Sequence, residues 1–121
     1  MKKYSEHHVW VAKNSKGDFV MGVTQHAIDE LGTVAFFEGD TIGSVPKDDS
    51  IGTIESNKTV ADIHAPMDMS VRLVNDDIDY DKLNKDPENV DECWLFKIVP
   101  DDVTGFTELM NEEAYKTFCN K

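Results

Sequence analysis

Short runs of apolar and polar residues, many of them alternating, dominate the chain and predict a mostly β protein. The runs are bounded by Gly, Pro, Asn and Asp, which are typical of turns. The predicted strands cover residues 9–12, 19–23, 33–37, 41–45, 51–55, 59–64, 69–74 and 93–99. Brief strands at regular intervals favour a sandwich or a flattened β-barrel.

One helix interrupts the strands in the N-terminal third of the chain. Ala27, Ile28 and Leu31 form an apolar stripe at helical spacing. Thr24 can cap the start of this helix, and Gly32 can supply a left-handed end after Leu31. The pattern therefore predicts a short helix that ends at Leu31.

The C-terminal part of the chain predicts further helical structure. Residues 75–92 are acidic and rich in turn formers, which indicates a surface loop with one helical turn near 80–83. Two short helices are predicted at about 103–110 and 112–119, and Asn111 is a suitable cap for the second.

Length and charge narrow the class of protein. The 121 residues suffice for one domain, and 40% hydrophobic with 30% charged residues is typical of a folded soluble chain. Asp and Glu number 24 against 12 Lys and Arg, so the net charge is -12. That surface repels phosphate backbones, so we expect no nucleic-acid partner, whereas a basic patch on a protein partner would be attracted.

Neither a membrane span nor a signal peptide is predicted. No apolar run approaches the length of a transmembrane helix, and the polar residues at 1–8 lack the apolar stretch of a signal peptide. We therefore expect a cytoplasmic protein, or a mitochondrial one if a presequence has been removed.

Cysteine and histidine spacing predicts no metal site. Cys93 and Cys119 are the only cysteines, and they form neither a disulfide framework nor a zinc pattern. Metal-ligand spacing is also absent from the four histidines, which are His7, His8, His26 and His64. No nucleophile–base arrangement points to a hydrolase.

The most informative position is Lys58, between the predicted strands 51–55 and 59–64. Together these strands predict a hairpin over about 51–64 with Lys58 at its tip. A lysine in a turn is usually an ordinary surface residue. At a hairpin tip, however, its exposed amine can also enter the active site of a modifying enzyme.

The residues around Lys58 resemble a known attachment motif. Residues 54–66 read Ile-Glu-Ser-Asn-Lys-Thr-Val-Ala-Asp-Ile-His-Ala-Pro and are similar to the lipoyl-attachment segment of the glycine cleavage system H protein family. Four further segments resemble the same family in the same order, which are 8–11, 22–32, 94–98 and 109–115. The resemblance thus extends over nearly the whole chain.

The resemblance implies a lipoyl/biotinyl-type hybrid-motif sandwich formed by residues 1–121 as a single domain. In such a protein, lipoate forms an amide with Lys58. The family's motif glutamate corresponds to Glu55, which we expect to help the modifying enzyme recognise the hairpin. Asp62 also matches the motif and could position the hairpin by accepting hydrogen bonds from backbone donors.

The resemblance also implies a function in glycine catabolism. The lipoyl arm would accept an aminomethyl group from glycine decarboxylase and present it to the folate-dependent aminomethyltransferase. Dihydrolipoamide dehydrogenase would then re-oxidise the arm, and a lipoate ligase or a lipoyl/octanoyl transferase would have attached it. The chain itself would be a non-catalytic carrier, and we expect a monomer.

The chain departs from the family pattern at three places. Asp68-Met69 replaces a turn glycine, and we expect Asp68 to adopt a left-handed conformation there. Residues 36–40 lack the usual Leu-Pro segment, and residues 91–93 lack the usual glycine before the tryptophan.

Three alternatives remain open at this stage. A divergent subgroup resembling H protein relays lipoate to other carriers or is a target of redox-linked modification. A biotin carrier would normally have Met on both sides of the lysine, whereas Lys58 is flanked by Asn57 and Thr59. An unmodified acidic interaction module could also retain the fold.

Overall fold

The computed structural model describes residues 2–120, so positions 1 and 121 of the predicted domain lie outside the described residues. Strands and short helices follow the order that the sequence predicts. Their bounds are β1 Lys2–Tyr4, β2 Val9–Lys13, β3 Phe19–Val23, α1 Gln25–Leu31, β4 Val34–Gly39, β5 Gly43–Val45, β6 Ser50–Ser56, β7 Val60–His64, β8 Met69–Val74, α2 Tyr80–Lys85, β9 Phe96–Pro100, α3 Val103–Thr107 and α4 Glu112–Cys119.

The strands form two antiparallel sheets, which confirms the predicted sandwich with short helices. The larger sheet has six strands in the order β1-β2-β3-β9-β8-β5, and the smaller has three in the order β4-β6-β7. Each sheet has its own edge strands, so the flattened barrel is open at its sides. Strand β7, which follows the predicted attachment site, is an edge of the smaller sheet.

The two sheets meet at Phe96 of β9. Its side chain is fully buried and packs edge-to-face on Phe37 of β4, with 5.4 Å between the ring centroids and 89° between the rings. Gly39 and Gly52 are cross-strand partners beneath this ring. A Cβ at Gly52 would lie 2.5 Å from the carbonyl oxygen of Glu38 and 3.2 Å from the Phe96 ring, so only glycine fits there.

Helix α1 has the predicted caps. The Thr24 hydroxyl accepts a hydrogen bond from the Ala27 amide at 3.2 Å, while Ile28 and Leu31 are buried. Gly32 ends the helix with φ 89°, a conformation that glycine adopts without the strain of a Cβ. The predicted glycine stop is therefore confirmed.

The C-terminal region differs from the prediction in one helix. Helix α4 spans the predicted residues, and the Asn111 side chain accepts a hydrogen bond from the Ala114 amide at 2.8 Å. Helix α3 is shorter than predicted because the chain pairs with strand β1 instead. The backbones of Met110 and Tyr4 exchange two hydrogen bonds, at 2.8 and 2.9 Å. Strand β1 itself was not predicted.

The strand predicted at 93–99 begins later in the structure, at Phe96. The Cys93 amide bonds to the carbonyl of Asn89 at 2.9 Å, which closes a turn rather than a strand ladder. The Cys93 side chain is fully buried, and this burial, followed by the nearby carboxylate of Asp86, raises the pKa of its thiol to about 11. Cys93 is therefore an unreactive packing residue, as its apolar neighbours indicate.

The prediction of a left-handed conformation at Asp68 is wrong. Among residues 2–120, the non-glycine residues with positive φ are His8 and Asp48, at 64° and 76°. Asp68 instead lies in a bend held by two other segments: its carboxylate accepts from the Lys47 amide at 2.8 Å and its carbonyl from the Asp101 amide at 3.0 Å. These contacts come from distant segments and replace the missing glycine.

We expect the substitution Phe96→Ala to destabilise the sandwich by about 3–5 kcal/mol, because it leaves a cavity between the sheets. Urea denaturation followed by circular dichroism measures this change. Leu73→Ala on the neighbouring strand β8 is the control, since Leu73 is 47% exposed and should cost far less. Equal losses in the two variants would contradict the role assigned to Phe96.

Candidate carrier site

Strands β6 and β7 form the hairpin that carries Lys58. Ile54 pairs with Ala61 and Glu55 pairs with Val60, so the side chains of neighbouring pairs point to opposite faces. Ile54 is buried against the core, whereas Glu55 and Val60 are exposed. The hairpin is thus anchored by its inner face up to the last pairs before the tip.

Ser56 closes the tip of the hairpin. Its amide donates to the carbonyl of Thr59 at 2.9 Å, and its hydroxyl lies 3.3 Å from the Lys58 amide and 3.2 Å from the Thr59 amide. Ser56 is itself buried. This residue was not among the predicted site residues, although a serine before a polar turn is a known signal for such a side chain–backbone motif.

Lys58 is exposed at the tip, as the sequence predicts. Its aliphatic stem lies beside Gly32 at the end of α1, where an added Cβ would be 3.2 Å from the Lys58 Cε. Within residues 2–120, no carboxylate forms an ion pair with the Lys58 ammonium. The stem is therefore supported by the protein while the amine remains available for modification.

Glu55 lies between two exposed apolar side chains. Phe36 on β4 and Val60 on β7 are its cross-strand partners, and they are 50% and 57% exposed. A register shift between Val34 and Phe36 places Phe36 on this outer face. We call Phe36, Glu55 and Val60 the Glu55 patch; an acid between apolar groups beside the tip is a surface suited to a protein partner.

Asp62 lies further along β7, opposite Thr53 on the outer face of the hairpin. Its side chain is exposed, and across residues 2–120 the structure gives its carboxylate no hydrogen bond to a backbone donor. Asp62 instead lines an open cleft of about 320 Å³ along the edge of β7. The opposite wall of this cleft includes Ala27, Glu30 and Leu31 of α1.

A second group of polar side chains lies next to the cleft. His8, His26 and Cys119 lie close enough for one ligand atom of each to be within 4.8 Å of the others. The sequence spacing predicted no metal site, and no local pattern could have indicated this cluster, because its members come from three separate segments. Both His8 and Glu30, which contacts His26, also line the cleft.

The fold and the tip lysine define the class of protein: a lipoyl/biotinyl-type carrier sandwich with a projecting lysine hairpin. The comparisons with known proteins then specify the family. The family model described as "Glycine cleavage H-protein" matches residues 2–121. The chain belongs to the glycine cleavage H-protein family.

Individual relatives agree with this assignment over nearly the full length. The glycine cleavage system H protein of Thermotoga maritima is 38% identical, with 98% of this chain and 96% of the relative covered. The H protein of Oceanobacillus iheyensis is 39% identical over 95% of this chain and 91% of its own. The crystal structure of the H protein from Mycobacterium marinum superimposes with a TM-score of 0.81 at 27% identity, covering 99% of this chain and 97% of that chain.

The sequence predicts no membrane-spanning segment, and the helices of the structure can be compared with this prediction. Within the part of the chain that the structure describes, no helix is long and apolar enough to span a bilayer.

We expect Ser56→Ala to loosen the tip without unfolding the protein. Loss of a typical hydrogen bond costs about 1 kcal/mol, so the amides of Lys58 and Thr59 should exchange with solvent roughly fivefold faster. Hydrogen exchange followed by NMR measures these amides directly. Ser50→Ala, at the opposite end of β6, is the control and should leave their exchange unchanged. Unaltered exchange in Ser56→Ala would show that Ser56 does not hold the tip.

Proposed function

We propose that this chain carries lipoate as an amide on Lys58 and transports the aminomethyl group of glycine during glycine cleavage. The observation that carries the proposal is an exposed lysine at the tip of an anchored hairpin, in a chain that belongs to the H-protein family. The chain is a carrier rather than an enzyme, and no residue is assigned a catalytic role. The carrier domain spans residues 1–121.

The geometry of the hairpin suits a swinging arm. The tip is fixed by Ser56, whereas the Lys58 amine forms no ion pair within residues 2–120, so an attached group has a rigid base and a mobile end. A tethered group reaches successive active sites at high effective concentration, without release into solution. Amide formation also removes the positive charge of the lysine, which leaves an uncharged arm.

The Glu55 patch is the surface that we assign to the modifying enzyme, either a lipoate ligase or a lipoyl/octanoyl transferase. Phe36 and Val60 offer apolar contact on both sides of the Glu55 carboxylate. A basic group on the enzyme could pair with this acid while Lys58 enters the active site. The patch and the lysine lie on the same hairpin, so recognition fixes the position of the amine.

The charge of the cleft beside the hairpin supports the proposal that the arm carries an aminomethyl group. Asp62 and Glu30 bring carboxylates to its walls. The amine of an aminomethyl group is a cation at neutral pH, and these carboxylates would attract it. We therefore assign Asp62 to positioning beside the hairpin, acting through its charge rather than through backbone hydrogen bonds.

We infer the partner proteins and the cellular location on the same basis. Glycine decarboxylase, the folate-dependent aminomethyltransferase and dihydrolipoamide dehydrogenase would dock in turn, through basic patches complementary to the net charge of -12. We propose a cytoplasmic monomer that binds neither nucleic acid nor membrane. No observation on this structure favours the lipoyl-relay role, a biotin carrier or an unmodified module.

Lys58→Arg tests attachment and function together. We expect wild-type protein incubated with a lipoate ligase to gain one lipoyl group and then to support glycine decarboxylation by glycine decarboxylase. Lys58→Arg should gain none and support no decarboxylation, with a free energy of unfolding within about 0.5 kcal/mol of wild type. Mass spectrometry and release of carbon dioxide from glycine measure the two steps.

Lys47→Arg is the matched control, because Lys47 is another turn lysine and should leave lipoylation unchanged. A biotin-sized adduct, or lipoylation of Lys58→Arg, would contradict the assigned attachment. A lipoylated protein that donates its lipoyl group to other carriers but supports no decarboxylation would instead establish the relay role.

We expect Glu55→Gln to slow lipoylation by about tenfold or more, because a charged hydrogen bond to the enzyme contributes about 1.5–3 kcal/mol. Thermal unfolding should be nearly unchanged, since Glu55 is exposed. Initial rates of lipoylation, measured by mass spectrometry over time, provide the comparison. Glu38→Gln is the control, as Glu38 is an exposed acid on the neighbouring strand. Equal rates in both variants would remove the recognition role of Glu55.

A further inference from the structure

We propose that the chain binds one thiophilic transition-metal ion, of the Zn²⁺ class, through His8, His26 and Cys119. One ligand atom from each of these residues lies within 4.8 Å of the other two. All three side chains are partly buried, so an ion could enter from solvent and still lose part of its hydration shell. We call this group the His₂Cys cluster.

Three separate elements supply the ligands. His8 lies in the turn between β1 and β2, His26 is in α1, and Cys119 is the last residue of α4. The two imidazole rings are stacked, with centroids 4.3 Å apart and 28° between the ring planes. The cluster is therefore a product of tertiary folding and not of chance proximity along one helix.

Both histidines already have the outer partners that are typical of metal ligands. His8 Nδ1 is 2.7 Å from the Tyr115 hydroxyl, and His26 Nε2 contacts the carboxylate of Glu30. Histidines that bind metals usually make such a contact with one ring nitrogen, which fixes the ring and the tautomer while the other nitrogen binds the ion. Glu30 and Tyr115 would serve as these orienting groups.

Tyr115 also holds helix α4 in place beside the cluster. Its ring stacks on Tyr4 with 4.5 Å between centroids, and its hydroxyl is 2.7 Å from the Thr24 hydroxyl that caps α1. Cys119 lies four residues after Tyr115 on the same helix, so both side chains share one face. The thiol is thus carried by a helix that is fixed against the element bearing His26.

The backbone at His8 is held in an uncommon conformation. Its φ is 64°, which is left-handed and costs a residue with a Cβ about 1–2 kcal/mol. Two hydrogen bonds fix it there: the His8 amide donates to the Ser5 carbonyl at 3.1 Å, and the Thr24 amide donates to the His8 carbonyl at 3.1 Å. This geometry turns the imidazole toward α1 and α4, and strained residues of this kind concentrate at functional sites.

The ligand types favour zinc over the hard cations. Imidazole and thiolate suit Zn²⁺, whereas Mg²⁺ and Ca²⁺ require oxygen ligands. Zinc–ligand bonds of about 2.0–2.3 Å in a tetrahedral site separate the ligand atoms by ~3.3–3.6 Å. Binding therefore needs side-chain shifts of up to ~1.5 Å. At least one of the stacked imidazole rings must also rotate so that both point a nitrogen at the ion. Binding releases the thiol proton of Cys119. With three protein ligands, water would occupy the fourth position.

Zinc titration of the chelator-treated protein tests the proposal. We expect isothermal titration calorimetry to show one Zn²⁺ per chain. Cys119→Ser and His26→Ala should each weaken binding by at least about tenfold. His64→Ala is the matched control: its ring lies outside the cluster and bonds the Asp48 carbonyl at 2.9 Å, so binding should be unchanged. Circular dichroism establishes that each variant is folded.

Cobalt substitution provides a readout that a purely structural role would not change. Co²⁺ bound to wild-type protein should show a thiolate-to-cobalt charge-transfer band in the near ultraviolet, and folded Cys119→Ser protein should lack it. Cys93 would not supply this band, because its thiol is fully buried. Absence of stoichiometric zinc binding, or equal affinity in Cys119→Ser and wild type, would overturn the proposal.

Discussion

Packing of Phe96 onto the smaller sheet is the contact on which the carrier geometry depends. Its buried ring meets Phe37 and the Gly39–Gly52 pair, so the two sheets approach closely at this point. Strand β6, which contains Gly52, continues directly into the tip that carries Lys58. The sheet contact therefore fixes the base of the hairpin, and the position of the lysine follows from the packing of the core.

The hairpin combines rigidity and freedom over a few residues. Ile54 is buried, Glu55 is exposed and Ser56 binds the turn, after which Lys58 projects with only its stem supported. A carrier needs both properties, because partners must recognise a constant surface while the attached group moves. The cleft beside β7 and the Glu55 patch lie next to the same tip, so the carboxylates that would attract the loaded arm and the surface assigned to the modifying enzyme share one region.

Local signals predicted much of this arrangement. The Thr24 and Asn111 caps, the Gly32 stop and the hairpin around Lys58 depend on neighbours within a few residues, and all four features are present. The errors occur where distant segments compete with local preference. Met110 leaves the predicted helix to pair with Tyr4, so the unpredicted strand β1 lies between its neighbour β2 and this distant segment.

The sequence by itself determined the class of fold, the tip position of Lys58 and the family to which the chain belongs. These depend on periodicity, turn chemistry and residue order, which a linear pattern records. Only the tertiary structure decided that Lys47 holds the bend at Asp68 and that Cys119 meets two histidines more than 90 positions away. The physical reason is that spacing along the chain encodes contacts within one element, whereas contacts between elements depend on how their buried faces pack.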